Sequence, residues 1–257
     1  MKKHILIALS ALFLVLGLNS ATISDAATLS VGHGQVHRLY HGASTNWSGY
    51  AVETNLQSPQ TNAVTLVQSQ WVVPAVSCPN RSSSYSSIWV GIDGYSDGTV
   101  EQIGTDQDCN RRNPVYYAWY EMYPQSSHTV SLAVAPGNVM TALVQYTGNN
   151  SYTLTLNNVS TGKTFTTTQQ LANAGRSSAE WVVEAPSSWF GVLPLANFGT
   201  ANLTNSVATI NGHNGTISDP AWQKDAITMV TNNNTVKALP SALSADGSSF
   251  SVAWKHN

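Results

Sequence analysis

From Asn46 onward the chain is a succession of short runs rich in Val, Thr, Tyr and Trp, each broken by clusters of Gly, Pro, Asn and Ser. Runs of this kind read as strands at 48–53, 64–73, 87–92, 115–123, 129–134, 139–146, 151–157, 179–184, 208–210, 227–230 and 249–254. No amphipathic helix of useful length interrupts them. Many short strands joined by turn residues predict an antiparallel sandwich or barrel and argue against an α/β fold. The Asn- and Thr-rich stretches between them read as hairpin loops, and there is no sequence repeat.

Alternate side chains of a strand share a face, so parity shows what each face carries. In Tyr117-Ala118-Trp119-Tyr120-Glu121-Met122-Tyr123 the odd positions set Glu121 among Tyr117, Trp119 and Tyr123. Trp89 and Asp93 share a face opposite Ile88, Val90 and Ile92. Glu180, Val182 and Glu184 likewise oppose Ala179, Trp181 and Val183. Each strand thus has an apolar face for packing and a face bearing acids or aromatics, which suits a ligand groove. The same pattern also arises where aromatics simply fill a sandwich core, and parity alone leaves both open.

Charge sharpens the question. Charged residues are only 9% of the 257-residue chain, against about 25% in ordinary globular proteins. Ser, Thr, Asn and Gln keep such a surface wet, and few ion pairs are lost when carboxylates protonate, so the composition permits life in acid. Yet Asp93, Asp97, Glu101, Asp106, Asp108 and Glu121 crowd into positions 93–121. Acids concentrated in an otherwise uncharged chain suggest a site, although Asp97 and Asp108 sit in polar stretches that read as solvated turns.

The N-terminus carries an address. Met1-Lys2-Lys3-His4 is followed by the apolar run Ile5 to Leu18 and the small residues around Ala26. This is the pattern of a secretory signal cleaved near Ala26, too short for a bilayer span. Residues 1–26 are therefore expected to leave, and the mature chain to be secreted and extracellular, with no membrane association. Losing Lys2, Lys3 and Asp25 leaves 9 basic and 12 acidic residues, a net charge of −3, which offers no footprint for nucleic acid. Cys78 and Cys109 are the two cysteines, and in an oxidising compartment they read as one disulfide. Residues 27–45 contain His33, His37 and His41 at four-residue spacing. Gly32, Gly34 and Gly42 argue against the helix that would align them as metal ligands, so the segment reads as a linker or short propeptide, with the main domain at 46–257.

Five strings in order carry a resemblance: Asn46-Trp47-Ser48-Gly49-Tyr50, Trp89-Val90-Gly91-Ile92-Asp93-Gly94, Glu101-Gln102-Ile103-Gly104, Ala118-Trp119-Tyr120-Glu121-Met122-Tyr123-Pro124 and Ala179-Glu180-Trp181-Val182-Val183-Glu184. Together they resemble the glutamic peptidase (eqolisin) family, here in a bacterial-type form. The resemblance implies an all-β, antiparallel two-sheet sandwich, lectin-like in shape, with a face that binds an extended polypeptide. It implies catalysis by Gln102 and Glu180, with Trp89, Asp93, Asp106, Trp119 and Glu121 lining the cleft. It also implies neither metal nor cofactor, and a monomer. The chain departs from the fungal pattern at Glu101, Gln107 and Met122, and lacks a long propeptide. By parity Glu101 should point away from Gln102.

Peptide hydrolysis needs a base for water, an acid for the departing nitrogen and a donor for the oxyanion. One Glu can take a proton from water and return it to the amine, while a Gln amide, which does not ionise in acid, can hold the water and donate to the oxyanion. The rival reading is a glycoside hydrolase using Glu121 and Glu180 as its carboxylates, or a noncatalytic carbohydrate-binding module, on a similar sandwich. No Gly-x-Ser-x-Gly or His-Glu-x-x-His string is present.

Overall fold

The computed structural model describes residues 31–257; the expected signal, residues 1–26, lies outside them. The described residues form strands joined by turns and loops. In chain order the strands are β1 (Arg38–Tyr40), β2 (Ala43–Ser44), β3 (Trp47–Glu53), β4 (Val64–Val72), β5 (Ser87–Ile92), β6 (Val100–Asn110), β7 (Asn113–Tyr123), β8 (His128–Val130), β9 (Val139–Gly148) and β10 (Ser151–Asn158). They continue with β11 (Lys163–Gln170), β12 (Ser178–Glu184), β13 (Ser187–Ser188), β14 (Gly191–Val192), β15 (Thr200–Ile210), β16 (His213–Thr216), β17 (Gln223–Val230), β18 (Val236–Pro240) and β19 (Phe250–Trp254).

Two antiparallel sheets face each other, as the strand pattern predicts. The first runs β8-β7-β6-β5-β12-β3-β17. The second runs β11-β10-β9-β4-β15 and continues through β19 and β18. Strand β17 joins them, pairing with β3 over its first half and with β18 over its end.

The core between the sheets holds Ile88, Val90 and Ile92 of β5, Ile103 of β6 and Ala179, Trp181 and Val183 of β12, packed on residues such as Trp71, Val144 and Leu154 of the second sheet. Trp181 can be wholly enclosed because its Nε1–H donates to the Gln68 carbonyl at 2.8 Å. The parity readings of β7 and β12 hold, as does that of β5 except for Asp93, which lies past the strand's end at φ 72°, where alternation stops; both readings of the aromatics are partly right. Trp71 and Trp181 fill the core, whereas Trp47, Trp89 and Trp119 form a separate apolar cluster on the outer face of the first sheet with Ala51, Val182 and Ile227.

Eight of the nineteen strands among the described residues, β1, β2, β6, β11, β13, β14, β16 and β18, lie outside the runs read from the sequence, and two of them show why. β11 comes from a Thr-rich stretch read as loop, yet pairs with β10 along its whole length, because Thr suits a half-exposed edge. β6, the longest run of acids and amides, shows no apolar alternation. Both its faces are nevertheless covered, and Asp108, expected in a solvated turn, lies in the strand at 5% exposure. Its carboxylate accepts from Ser86 N–H and the Tyr117 hydroxyl. Asp97 does sit in a turn. The disulfide Cys78–Cys109 forms and ties the loop after β4 to the end of β6.

Candidate active site

The register of four neighbouring strands builds the site. Glu180 of β12 lies opposite Gly91 of β5, Gly91 opposite Gln102 of β6, and Gln102 opposite Glu121 of β7. The next row is Val182, Trp89, Gly104 and Trp119, and the next Glu184, Ser87, Asp106 and Tyr117. Residues directly opposite point to one face, so all three rows project outward. With strands about 4.8 Å apart, Gln102 and Glu180 flank a gap about 10 Å wide, floored by a residue without a side chain. A Cβ on Gly91 would lie 2.9 Å from the Trp89 ring and 3.2 Å from Gln102 Cβ. Gly104 is required in the same way, since a Cβ there would meet the Ile88 carbonyl oxygen at 2.3 Å.

Gln102 and Glu180 are both fully buried. Among the described residues neither Glu180 carboxylate oxygen nor Gln102 Oε1 has a hydrogen-bond partner, while Gln102 Nε2 donates to the carbonyl oxygen of His33. Burial drives the Glu180 carboxyl well above its ordinary range; the nearby Ser178 hydroxyl opposes this, and the like charges of Asp93, Asp97 and Glu53 add to it.

Asp106, Trp119 and Glu121 converge on His33. The imidazole Nε2 is 3.1 Å from Asp106 Oδ1, Nδ1 is 3.4 Å from Glu121 Oε2, and the ring stacks on Trp119 at 3.5 Å and 7°. Tyr117 donates its hydroxyl to Asp106 Oδ2 at 2.6 Å. Trp89 donates Nε1–H to Glu184 Oε2 at 2.8 Å and meets Trp47 edge-on. Asn46 also donates to Glu184. Burial pushes Glu184 up to about 8 despite the favourable charge of His33.

Asp93 stands apart from this group. In a left-handed conformation (φ 72°) it accepts from the backbone N–H groups of Arg176 and Ser177, at 2.6 and 2.7 Å. It thereby fixes the entry into β12. Glu101 points into the intersheet side, away from Gln102, as its position opposite Ile92 and Met122 requires. Sequence reasoning missed His33 and gave Glu184 no role, although parity already set Glu184 on the face of Glu180. No described group of His, Cys, Asp and Glu has the arrangement to hold a metal ion.

Residues 45–254 match the Peptidase A4 family. The chain belongs to that family, the glutamic peptidases. This family member is 29% identical over 192 residues to Aspergillopepsin-2 of Aspergillus niger, a match covering 66% of each protein, so the chain spans about two thirds of that relative's length. Aspergilloglutamic peptidase from Aspergillus niger is similar in structure, with a TM-score of 0.60 at 28% identity over 67% of this chain and 99% of that one. Scytalido-glutamic peptidase, solved with a transition state analog inhibitor, shares the fold, with a TM-score of 0.67 at 24% identity over 82% and 98% of the two chains.

Proposed function

We propose that this protein is a secreted, monomeric acid endopeptidase that cleaves polypeptides with Gln102 and Glu180, using a water rather than a covalent intermediate. The supporting observation is the row Glu180-Gly91-Gln102, which sets a carboxyl and an amide across a glycine floor with their oxygens unpartnered. Family membership supports the peptidase reading, and the disulfide suits export.

In this mechanism Gln102 Oε1 and the ionised form of Glu180 hold the attacking water; because burial favours the neutral acid, the ionised fraction, and the rate with it, rises with pH across the acid range. Glu180 takes its proton as the oxygen adds to the scissile carbonyl. Gln102 Nε2–H then donates to the oxyanion, and Glu180 returns the proton to the leaving nitrogen as the C–N bond breaks. Trp119, Glu121 and Asp106 line the groove beside Gln102, Trp89 supports it from below, and Asp93 positions β12. The sugar-cleaving alternative is disfavoured by the register. Glu121 and Glu180 are three strand spacings apart, roughly 14 Å at the backbone, with Gln102 between them, whereas paired glycosidase carboxyls lie about 5–9.5 Å apart.

The test is digestion of an unfolded protein at about pH 3–5 with pepstatin present, comparing wild type with Gln102→Ala and Glu180→Gln. Losing one oxyanion donor should reduce kcat by about 10²–10³, and losing the base by about 10²–10⁴. Undiminished cleavage by either variant sinks the assignment, as does a wild type that cleaves only polysaccharide.

A further inference from the structure

Among the described lysines and arginines only Lys237 is buried, at 7% exposure. Its neighbour on β18, Ala238, packs into the core, so strand alternation turns the Lys237 side chain the other way. The ion pairs among the described residues all belong to His33 or His213, and none reaches Lys237. Burial lowers the pKa of its amine. Buried charges are ordinarily paired; this one is not.

The surroundings of the amine suit an anion. Lys237 lines a cavity of about 790 Å³ together with His37, Thr231, Val192, Leu193 and Val230, a size common for ligand sites. None of the lining residues is Asp or Glu, although acids crowd the groove nearby. The walls thus join a cation and a hydroxyl to an apolar surface, which is complementary to a carboxylate carrying an apolar group. Asn257, the last residue, also lines the cavity without an ion pair to Lys237. The cavity lies behind the β13–β14 hairpin, and His37 and Gly191 line both it and the hollow on the groove side that reaches Glu121. A chain lying in the groove can therefore continue past the hairpin towards Lys237. The α-carboxyl of a peptide ionises at about 3.3–3.7, so through most of the acid range proposed for catalysis it is an anion facing a protonated lysine.

We propose that this cavity is a separate subsite for the free C-terminal carboxylate of a peptide, with Lys237 as counter-ion and Val192, Leu193 and Val230 against the last side chain. The inference rests on the peptidase reading in one respect, that the peptide is a substrate or product of the groove.

The experiment titrates acetyl-Gly-Leu, as free acid and as C-terminal amide, into the full chain at about pH 5 and reads Kd by calorimetry. The free acid should bind at least about tenfold tighter, the least that a hydrogen bond to a charged group is worth. Lys237→Met, which keeps the stem and removes the charge, should abolish the difference, and Lys237→Arg should preserve it. Should Lys237→Met fold poorly, carbon-13 methylation of wild-type lysines gives the same answer: the resonance that Lys237→Arg lacks should shift with the free acid and not with the amide. On a substrate of about twelve residues, some 40 Å when extended, KM for the amide should exceed KM for the free acid about tenfold in wild type and not at all in Lys237→Met. Equal binding of acid and amide by wild type overturns the inference, Lys237 then being served by the Asn257 carboxylate, and leaves the peptidase reading to the Glu180→Gln test. Binding of 4-methylpentanoate as tight as that of acetyl-Gly-Leu makes this a site for small organic acids and overturns the peptide assignment. Preference for the free acid with no cleavage of any peptide keeps the subsite and sinks the peptidase reading. Preference in binding with equal KM values overturns the link to the groove.

Discussion

At the scale of single residues, Glu180 and Glu184 pose the sharpest choice. Both are buried carboxyls on the same face of β12, four positions apart, and both are pushed up by burial. Their lone pairs differ. Glu184 is engaged by Trp89 Nε1–H and by Asn46, whereas Glu180 has no partner among the described residues. A group already serving two donors is poorly placed to take a proton from water, so Glu184 acts as a positioning residue that fixes Trp89 beneath the groove. Burial favours the neutral acid at both positions, but a positioning role needs only the hydrogen bonds that Gln can also accept, whereas a general base must reach its ionised form, which Gln lacks. Glu184→Gln should thus keep activity within about tenfold, while Glu180→Gln loses about 10²–10⁴. The reverse ranking in initial-rate assays would move the general base to Glu184.

At the scale of elements, the site depends on four strands, β12, β5, β6 and β7, keeping one register, and Gly91 forms the floor of the proposed catalytic row. Ala at this position would press on the Trp89 ring and on Gln102 Cβ. Overpacking of this kind costs about 1–3 kcal/mol. Because Gln102 is one of the groups displaced, Gly91→Ala should lower kcat by tenfold or more while a thermal melt still shows a cooperative fold. A melt and a kcat both like wild type would mean that the floor is not tight. Legibility in the sequence also divides by element. β5, β7 and β12 were readable because one face of each packs in the core and the alternation survives. β6 was not, because it is covered on both faces yet carries amides and carboxyls on each, so Gln102 was placed by its motif rather than by a strand pattern. His33 was visible only as one of three regularly spaced histidines, since its meaning lies in contacts with Asp106 and Glu121, 73 and 88 residues away.

At the scale of the whole molecule, the buried acids set the direction of pH dependence. Glu53 is raised to about 7 and Asp93 and Glu184 to about 8, and Glu101 and Glu180 lie well above their ordinary range, in each case first through burial. A group whose pKa is higher folded than unfolded binds more protons in the native state between the two values. Its stabilisation is complete below about pH 4 and is lost as pH rises through the folded value. His33, raised by Asp106, acts in the same sense. His37 and Lys237, lowered by burial, act in the opposite sense but are two groups against several. The fold should therefore melt at a higher temperature at pH 4 than at pH 8. Glu101 offers the cleanest probe, because it lies on the packing side of β6, away from Gln102, and its carboxylate oxygens have no hydrogen-bond partner among the described residues. Glu101→Gln removes the ionisation with little change of shape. At pH 8 it should raise Tm, because it removes the cost of a carboxyl that ionises freely in the unfolded chain and is held from doing so by burial in the folded one, and each kcal/mol recovered is roughly 2–4 °C for a chain of this size. At pH 4, where Glu101 is already protonated, the same substitution should be close to neutral. A variant equally stabilised at both pH values, or a wild-type Tm that rises towards pH 8, would show that these carboxyls are not what adapts the fold to acid.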